Sequence, residues 1–165
     1  MVAKWDEVGN YFSHLNHMLI GEYSHNFDDK SRISLPAKFR KEMGSKVVIA
    51  PGIDNCLFVF TMKGWKEFAE RLVNPDSASV LRTDNRNFNR LIIGRAMEVE
   101  VDSVGRMLVP EHLRDHATLT GKTAIVGIMN RVEMWNADVW EKYRAEYGKK
   151  TDILAEKLVS AGINL

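Results

Sequence analysis

The spacing of apolar positions changes several times along this chain, and each change marks an element. Residues 32–35 read Arg-Ile-Ser-Leu, which puts Ile33 and Leu35 on one side of an extended chain and Ser34 on the other. Residues 106–109 read Arg-Met-Leu-Val, with Met107 and Val109 in the corresponding places. A short strand-like run precedes each of them, residues 22–27 and 96–101, followed by the turn residues DDKS and DSVG. After each comes a Pro, which cannot donate to a sheet ladder and suits the first turn of a helix. PAKFRKEM and PEHLRDHA are therefore expected to form helices of one to two turns. The apolar runs VVIA, CLFVF, TAIVGI and VEMW supply two further strands per half, joined at PGIDN and GIMN. A helical period then returns in MKGWKEFAERL, with Trp65, Phe68 and Leu72 at core spacing, and in ADVWEKYRAEY.

The order of elements occurs twice because the sequence itself does. Asp28, Arg32, Leu35, Pro36, Phe39 and Arg40 match Asp102, Arg106, Val109, Pro110, Leu113 and Arg114 at an offset of 74. After one inserted residue, Gly52, Asn55, Leu57, Phe60, Trp65 and Phe68 match Gly127, Asn130, Val132, Trp135, Trp140 and Tyr143 at an offset of 75. Ten Asp and eleven Arg among 165 residues give under one D-x-x-x-R by chance, so a single match would mean little. Two matches followed by the same Pro, apolar and Arg positions point to duplication. The chain is read as an α+β protein with a first unit at 22–72, a helical connector at 73–95 and a second unit at 96–147. Residues 1–17 are expected to be a loose extension from an upstream start. The tail, 148–165, is expected to form a short helix or to fray, and no function is placed there.

Within the connector, Asn74-Pro75-Asp76-Ser77 is expected to stop one helix and cap the next, which would run to about Ile92. Arg82, Arg86 and Arg90 stand at i, i+4 and i+8, a spacing that shares one helical face. That face fits an interface paired to acids as well as it fits a polyanion.

Composition excludes more than it assigns. Apolar residues are 45% and charged residues 27%, an ordinary globular mixture with enough length for a core. No run approaches the roughly 18 apolar residues of a membrane span. The single cysteine, Cys56, rules out an internal disulfide framework, fits a reducing cytoplasm, and sits in an apolar run as a small buried residue. Net charge is +1, so contact with a polyanion would need a local basic patch rather than a global field.

Such a patch surrounds the first D-x-x-x-R. Lys30, Arg32, Lys38, Arg40 and Lys41 fall close together, opposed by Asp28, Asp29 and Glu42. In the second copy Glu111, His112 and Asp115 replace Ala37, Lys38 and Lys41, so the first unit is expected to dominate contact with DNA and the second to lean toward fold or assembly. In a tight hairpin, residues i and i+4 flank the turn. The Asp can accept from turn N–H groups and hold the guanidinium, while Gly105 suits a left-handed turn position. A solvated ion pair or a purely structural hairpin lock is the competing explanation.

Catalytic readings find less support. His112 and His116 stand at i, i+4 in HLRDH, but the zinc motif needs Glu where Leu113 stands, and no third ligand is evident. His14, His17 and His25 are read as incidental. No phosphate-binding loop, dinucleotide fingerprint or nucleophile elbow is present. No catalytic residue, metal ligand or cofactor is assigned.

MLIGEYSHNFDDKSRISLPAKFR, RNFNRLIIGRAMEVEVDSVGRMLVP and the Trp-bearing helices together resemble the MraZ family of bacterial transcriptional regulators, over residues 18–155. The resemblance implies two tandem AbrB-like units of the swapped-hairpin type, packed as a pseudo-symmetric β-barrel. It further implies a homo-oligomeric ring, cytoplasmic and nucleoid-associated, that represses the division and cell-wall operon by binding repeated G-rich boxes in double-stranded promoter DNA. It places DNA binding at Asp28 with Arg32 and at Asp102 with Arg106; charge density adds Lys30, Lys38 and Arg40. The family usually has Gly before the first Arg, where this chain has Ser31. A left-handed Ser costs ~1 kcal/mol, so the first hairpin is expected to use a slightly different turn. The alternative function is a non-enzymatic, ring-forming assembly protein whose Asp/Arg motifs are structural. An AbrB-like antitoxin would have one such unit and a toxin-binding tail, and two complete units argue against it.

Overall fold

A computed structural model of the chain describes residues 18–73 and 82–163. The first repeat contains β1 (Leu19–Asn26), β2 (Arg32–Ser34), α1 (Ala37–Met43), β3 (Lys46–Pro51), β4 (Leu57–Thr61) and α2 (Met62–Val73). A connecting helix, α3 (Thr83–Ile92), leads to β5 (Met97–Glu100), β6 (Arg106–Leu108), α4 (Glu111–His116), β7 (Lys122–Met129), β8 (Val132–Asn136) and α5 (Ala137–Gly148). The tail forms a last helix, α6 (Thr151–Ser160), rather than fraying. Pro36 and Pro110 stand immediately before α1 and α4, where a missing N–H costs nothing. Asn136 caps α5 by accepting from the backbone N–H groups of Asp138 and Val139.

The repeats are woven together. The main sheet has the order β1-β7-β8-β4-β3-β5, and β2 pairs with β6 as a separate two-stranded ribbon. The first strand of each repeat thus lies against the third strand of the other, β1 on β7 and β5 on β3, all antiparallel. At the centre β4 pairs with its own counterpart β8. The second strands do not return along the first ones as a simple hairpin would. Two backbone bonds close each turn: Asp28 N–H to Arg32 O at 2.8 Å and Ser31 N–H to Asp28 O at 3.0 Å, and Asp102 N–H to Arg106 O at 2.9 Å and Gly105 N–H to Asp102 O at 2.8 Å. The arms then part, in the second repeat after one further bridge between Val101 and Met107, and pairing β2 with β6 buries Ile33 and Met107 side by side in the same core.

The main sheet is covered on both faces, which is why β3, β4, β7 and β8 read as nearly continuous apolar runs. Toward one face Val47, Ile49, Leu57, Val59, Ile125, Val132 and Met134 meet the ribbon and the short helices, with Phe39 and Leu113 completing the core. Toward the other face Phe58, Phe60, Ala124, Val126 and Trp135 meet α2 and α5. Phe60 stacks on Phe68 with ring centroids 4.9 Å apart, and Trp140 stacks on Tyr143 at 5.8 Å. One difference between the repeats places a carboxylate in the core. Glu133 stands where the first repeat has Phe58; it is buried, and its carboxylate accepts from Arg131 Nη2 at 2.6 Å and from Trp135 Nε1 at 3.2 Å. Arg131 in turn lies over the Phe58 ring, 4.6 Å from its centroid.

The connector departs from expectation at its start. Arg82 precedes α3 in an extended conformation, so only Arg86 and Arg90 share a turn-related helical face. The expected cap at Asn74-Pro75-Asp76-Ser77 lies outside the described residues, as does the expected extension 1–17. Among the described residues no helix is long and apolar enough to cross a membrane.

Candidate nucleic-acid interface

Both D-x-x-x-R motifs fold into the same braced turn. Asp28 Oδ1 accepts from the backbone N–H groups of Lys30 and Arg32, each at 2.9 Å, while Oδ2 takes Arg32 Nε at 2.8 Å and Nη2 at 2.7 Å. Asp102 Oδ1 accepts from Val104 N–H at 3.1 Å and Arg106 N–H at 2.8 Å, and its Oδ2 takes Arg106 Nε at 2.8 Å. One carboxylate thus ties down the turn backbone with one oxygen and aims a guanidinium with the other. The carboxylates respond to this. The Arg32 side chain, then its backbone N–H, lower the Asp28 pKa from 3.8 to about 2. Asp102 is lowered as well, chiefly by the Arg106 backbone N–H and then by its side chain.

Ser31 does not alter the first turn. It adopts φ 59°, the left-handed conformation that Gly105 takes at φ 85°, and each donates its N–H to the Asp carbonyl three residues back. The expected difference in turn type is absent, because the Asp28 bonds and ribbon pairing outweigh the modest cost of a left-handed Ser.

The ribbon puts both arginines on one surface. In the β2–β6 register Arg32 lies opposite Leu108, Ser34 lies opposite Arg106, and Ile33 and Met107 face inward between them. Strand alternation therefore turns Arg32, Ser34, Arg106 and Leu108 outward. The Arg32 side chain is 30% exposed and that of Arg106 39%, so neither guanidinium is sealed in the interior. The two arginines sit diagonally at opposite ends of a short ribbon, each beside its own Asp-anchored turn. Lys30 on the first turn and Lys38 and Arg40 on α1 are exposed. Arg40, however, uses its Nε to donate to Leu35 O at 2.9 Å.

Residues outside the motifs also hold the site. His25 Nδ1 lies 2.6 Å from Ser34 O, which requires that nitrogen to donate and ties β2 to β1. Reading His25 as incidental overlooked this tie, since a lone His in a strand carries no spacing signal. The His112 and His116 rings face different carbonyls, Arg95 O at 3.1 Å and Gly52 O at 3.2 Å, so they serve as backbone ties in separate directions. Cys56 is buried, gives its thiol to Ile53 O at 3.0 Å, and has its pKa pushed up by that burial. Arg86 donates to Thr83 Oγ1 at 3.1 Å within α3.

Matches to known proteins cover both halves of this arrangement. The family model described as "MraZ protein, putative antitoxin-like" matches residues 18–90 and 92–157. The chain belongs to the MraZ family. The transcriptional regulator MraZ of Moorella thermoacetica is 44% identical over 146 residues, covering 88% of this chain and 100% of that protein. The transcriptional regulator MraZ of Caldanaerobacter subterraneus subsp. tengcongensis is 43% identical over 141 residues, 86% of this chain and 94% of that one. That of Carboxydothermus hydrogenoformans is 41% identical over 142 residues. These MraZ relatives are named as regulators, not as enzymes. The resemblance drawn from the duplicated motifs is thus shown, over two tandem regions.

The brace has a measurable signature. A carboxyl whose folded pKa lies below its unfolded value stabilises the fold fully above the unfolded value, and that contribution fades as pH falls through the folded one. For Asp28 the window therefore runs from just below pH 4 down to about 2. Titration of the side-chain carboxyl by carbon NMR is expected to give a midpoint near 2, moving back toward 3.8 in Arg32→Ala. A wild-type midpoint near 4 would show that the two groups do not pair in solution.

Proposed function

We propose that this chain is a sequence-specific DNA-binding regulator, a repressor of the division and cell-wall operon that acts on repeated G-rich promoter boxes as a homo-oligomeric ring. The observation that carries the proposal is the pair of carboxylate-braced arginines on the outward face of one ribbon. Two-stranded ribbons of this kind enter the major groove, and a guanidinium with its plane already fixed suits the O6 and N7 acceptors of guanine. The regulator names of the MraZ relatives support the same assignment. Arg32 and Arg106 are the proposed base or phosphate contacts, Asp28 and Asp102 orient them, and Lys30 and Lys38 supply phosphate contacts from the first repeat. Such a protein works in the cytoplasm, on the nucleoid, and needs no cofactor. The exchange of first strands between repeats supports a barrel of the swapped-hairpin AbrB type, with residues 22–72 and 96–147 as its units.

A protomer of net charge +1 grips DNA weakly by itself. A ring that presents several identical ribbons to spaced boxes converts weak contacts into avidity and blocks the promoter without chemistry. At one fixed salt concentration, a duplex with tandem boxes is expected to bind at least ~10-fold more tightly than a duplex with one box. Equal affinity for the two would remove the ring-avidity mechanism and leave a simple one-site binder.

A further inference from the structure

We infer that Arg40 is a positioning residue that latches the second braced turn from the first repeat, so that the two arginine-bearing turns move as one body. This rests on the DNA-binding reading for its purpose but on separate observations for its existence. Charge density alone groups Arg40 with the DNA contacts; its surroundings point elsewhere. Its Nε is committed to Leu35 O at 2.9 Å. Its side chain lies across Gly105 of the other repeat so closely that a Cβ built there would collide with Nε, Cδ and Cζ of Arg40. Directly beneath, Leu35 donates its backbone N–H to Gly105 O at 2.8 Å. One residue, Leu35, therefore gives its N–H to the second turn and its carbonyl to the arginine that covers that turn.

The repeat provides a looser reciprocal arrangement. Arg114 Nε donates to Val109 O at 3.1 Å, and Val109 N–H donates to Ser31 O at 3.3 Å. Both bonds are longer than their counterparts, and Ser31 carries the Cβ that Gly105 lacks. Gly105 is buried, whereas Ser31 is half-exposed. The second turn, which has the fewer basic neighbours, is thus the one held more tightly from across the repeat. The geometry gives Gly at that position a packing reason beyond its φ of 85°: the seat for a guanidinium is the missing side chain. Arginine suits the role because a planar group can lie flat on a peptide while its Nε bonds sideways, which an ammonium cannot reproduce.

The test uses the full chain and two readouts. In the free protein, amide exchange at Gly105, whose N–H is held by Asp102 O, is compared with exchange at Ser31, held by Asp28 O. Arg40→Ala is expected to speed exchange at Gly105 by about tenfold and at Ser31 by less than about twofold. Arg40→Lys, which keeps the charge, is expected to behave like the Ala variant. Gly105→Ser, which copies the residue of the first turn, unseats Arg40 without removing it and is expected to give the same pattern. In the second readout, the salt dependence of binding to a duplex spanning the region upstream of the protein's own coding sequence is measured. Loss of a positioning residue weakens binding while leaving the slope of log K against log salt unchanged, whereas loss of a phosphate contact lowers that slope by about 0.9. Unchanged exchange at Gly105 in Arg40→Ala, or a lowered slope that Arg40→Lys restores, would overturn the latch and return Arg40 to the DNA contacts. If wild-type protein binds no duplex at all, the DNA reading fails and the exchange measurement decides the latch alone.

Discussion

Arg32→Ala is expected to lower affinity for a duplex carrying repeated boxes by at least about 100-fold, because a guanidinium contact to guanine is worth about 10- to 100-fold and the loss recurs in every bound protomer. Oligomer size, measured by light scattering, is expected to stay the same. The Arg32 side chain bonds to Asp28 on its own turn, and the strand is kept in place by Ile33, by the β6 pairing and by His25. Arg32→Lys separates charge from shape: it is expected to keep weak binding to any duplex and to lose preference for the boxes, since an ammonium cannot make the bidentate contact. A variant that binds normally would remove Arg32 from the interface. A variant whose oligomer collapses would place the residue in assembly, the alternative function that the sequence left open.

Phe39→Ala is expected to have the largest effect on stability, about 3–5 kcal/mol, out of a total that for such domains is about 5–15 kcal/mol. Phe39 is fully buried on α1 and meets the Tyr23 ring edge-on at 5.2 Å between centroids. It is anchored in the core that both repeats share, among Leu35, Met107 and Leu113. Truncation leaves a hole between sheet and ribbon that the methionines of the same cluster, Met43, Met107 and Met134, fill only in part. In urea the midpoint is expected to fall with little change in the slope of free energy against denaturant. The interleaved strands make a second expectation: exchange protection in β7 is lost together with protection in β1, because each hydrogen-bonds to the other. Loss confined to the first repeat, with the second still protected, would contradict a shared core. Leu113→Ala, at the matching position, is expected to cost about 2–5 kcal/mol and to show the same joint loss.

Much of this was legible from residue types. Alternation identified the inward pair Ile33 and Leu35 and their counterparts Met107 and Val109, all of which are buried. The prolines located the starts of α1 and α4, and the Trp65 and Phe68 spacing located the packed face of α2. The offset between the two D-x-x-x-R copies located both braced turns. Pairing between strands was not legible, since apolar runs say that a strand is covered on both faces but not by which partner. The expectation of a returning hairpin followed from sequence proximity, whereas burial of Ile33 beside Met107 decided the register. The left-handed Ser31 is not legible from a local φ preference of ~1 kcal/mol, because tertiary bonds hold it. The bonds made by Arg40 and His25 were illegible for a related reason. Their partners are carbonyl groups, Leu35 O and Ser34 O, and a sequence shows no carbonyl as special.

The crossing of first strands has a bearing on how such a chain came about. Half of it, cut in the connector, would carry a lone β1 with its β7 mate missing and a β3 edge with no β5, so it could close only by meeting another half. Joining two halves in one polypeptide makes that meeting independent of concentration, since the second half is always within reach of its linker. It also releases the halves from having to be identical. Ser31 against Gly105, Lys38 against His112 and Phe58 against Glu133 are differences that a symmetric pair of separate chains could not hold.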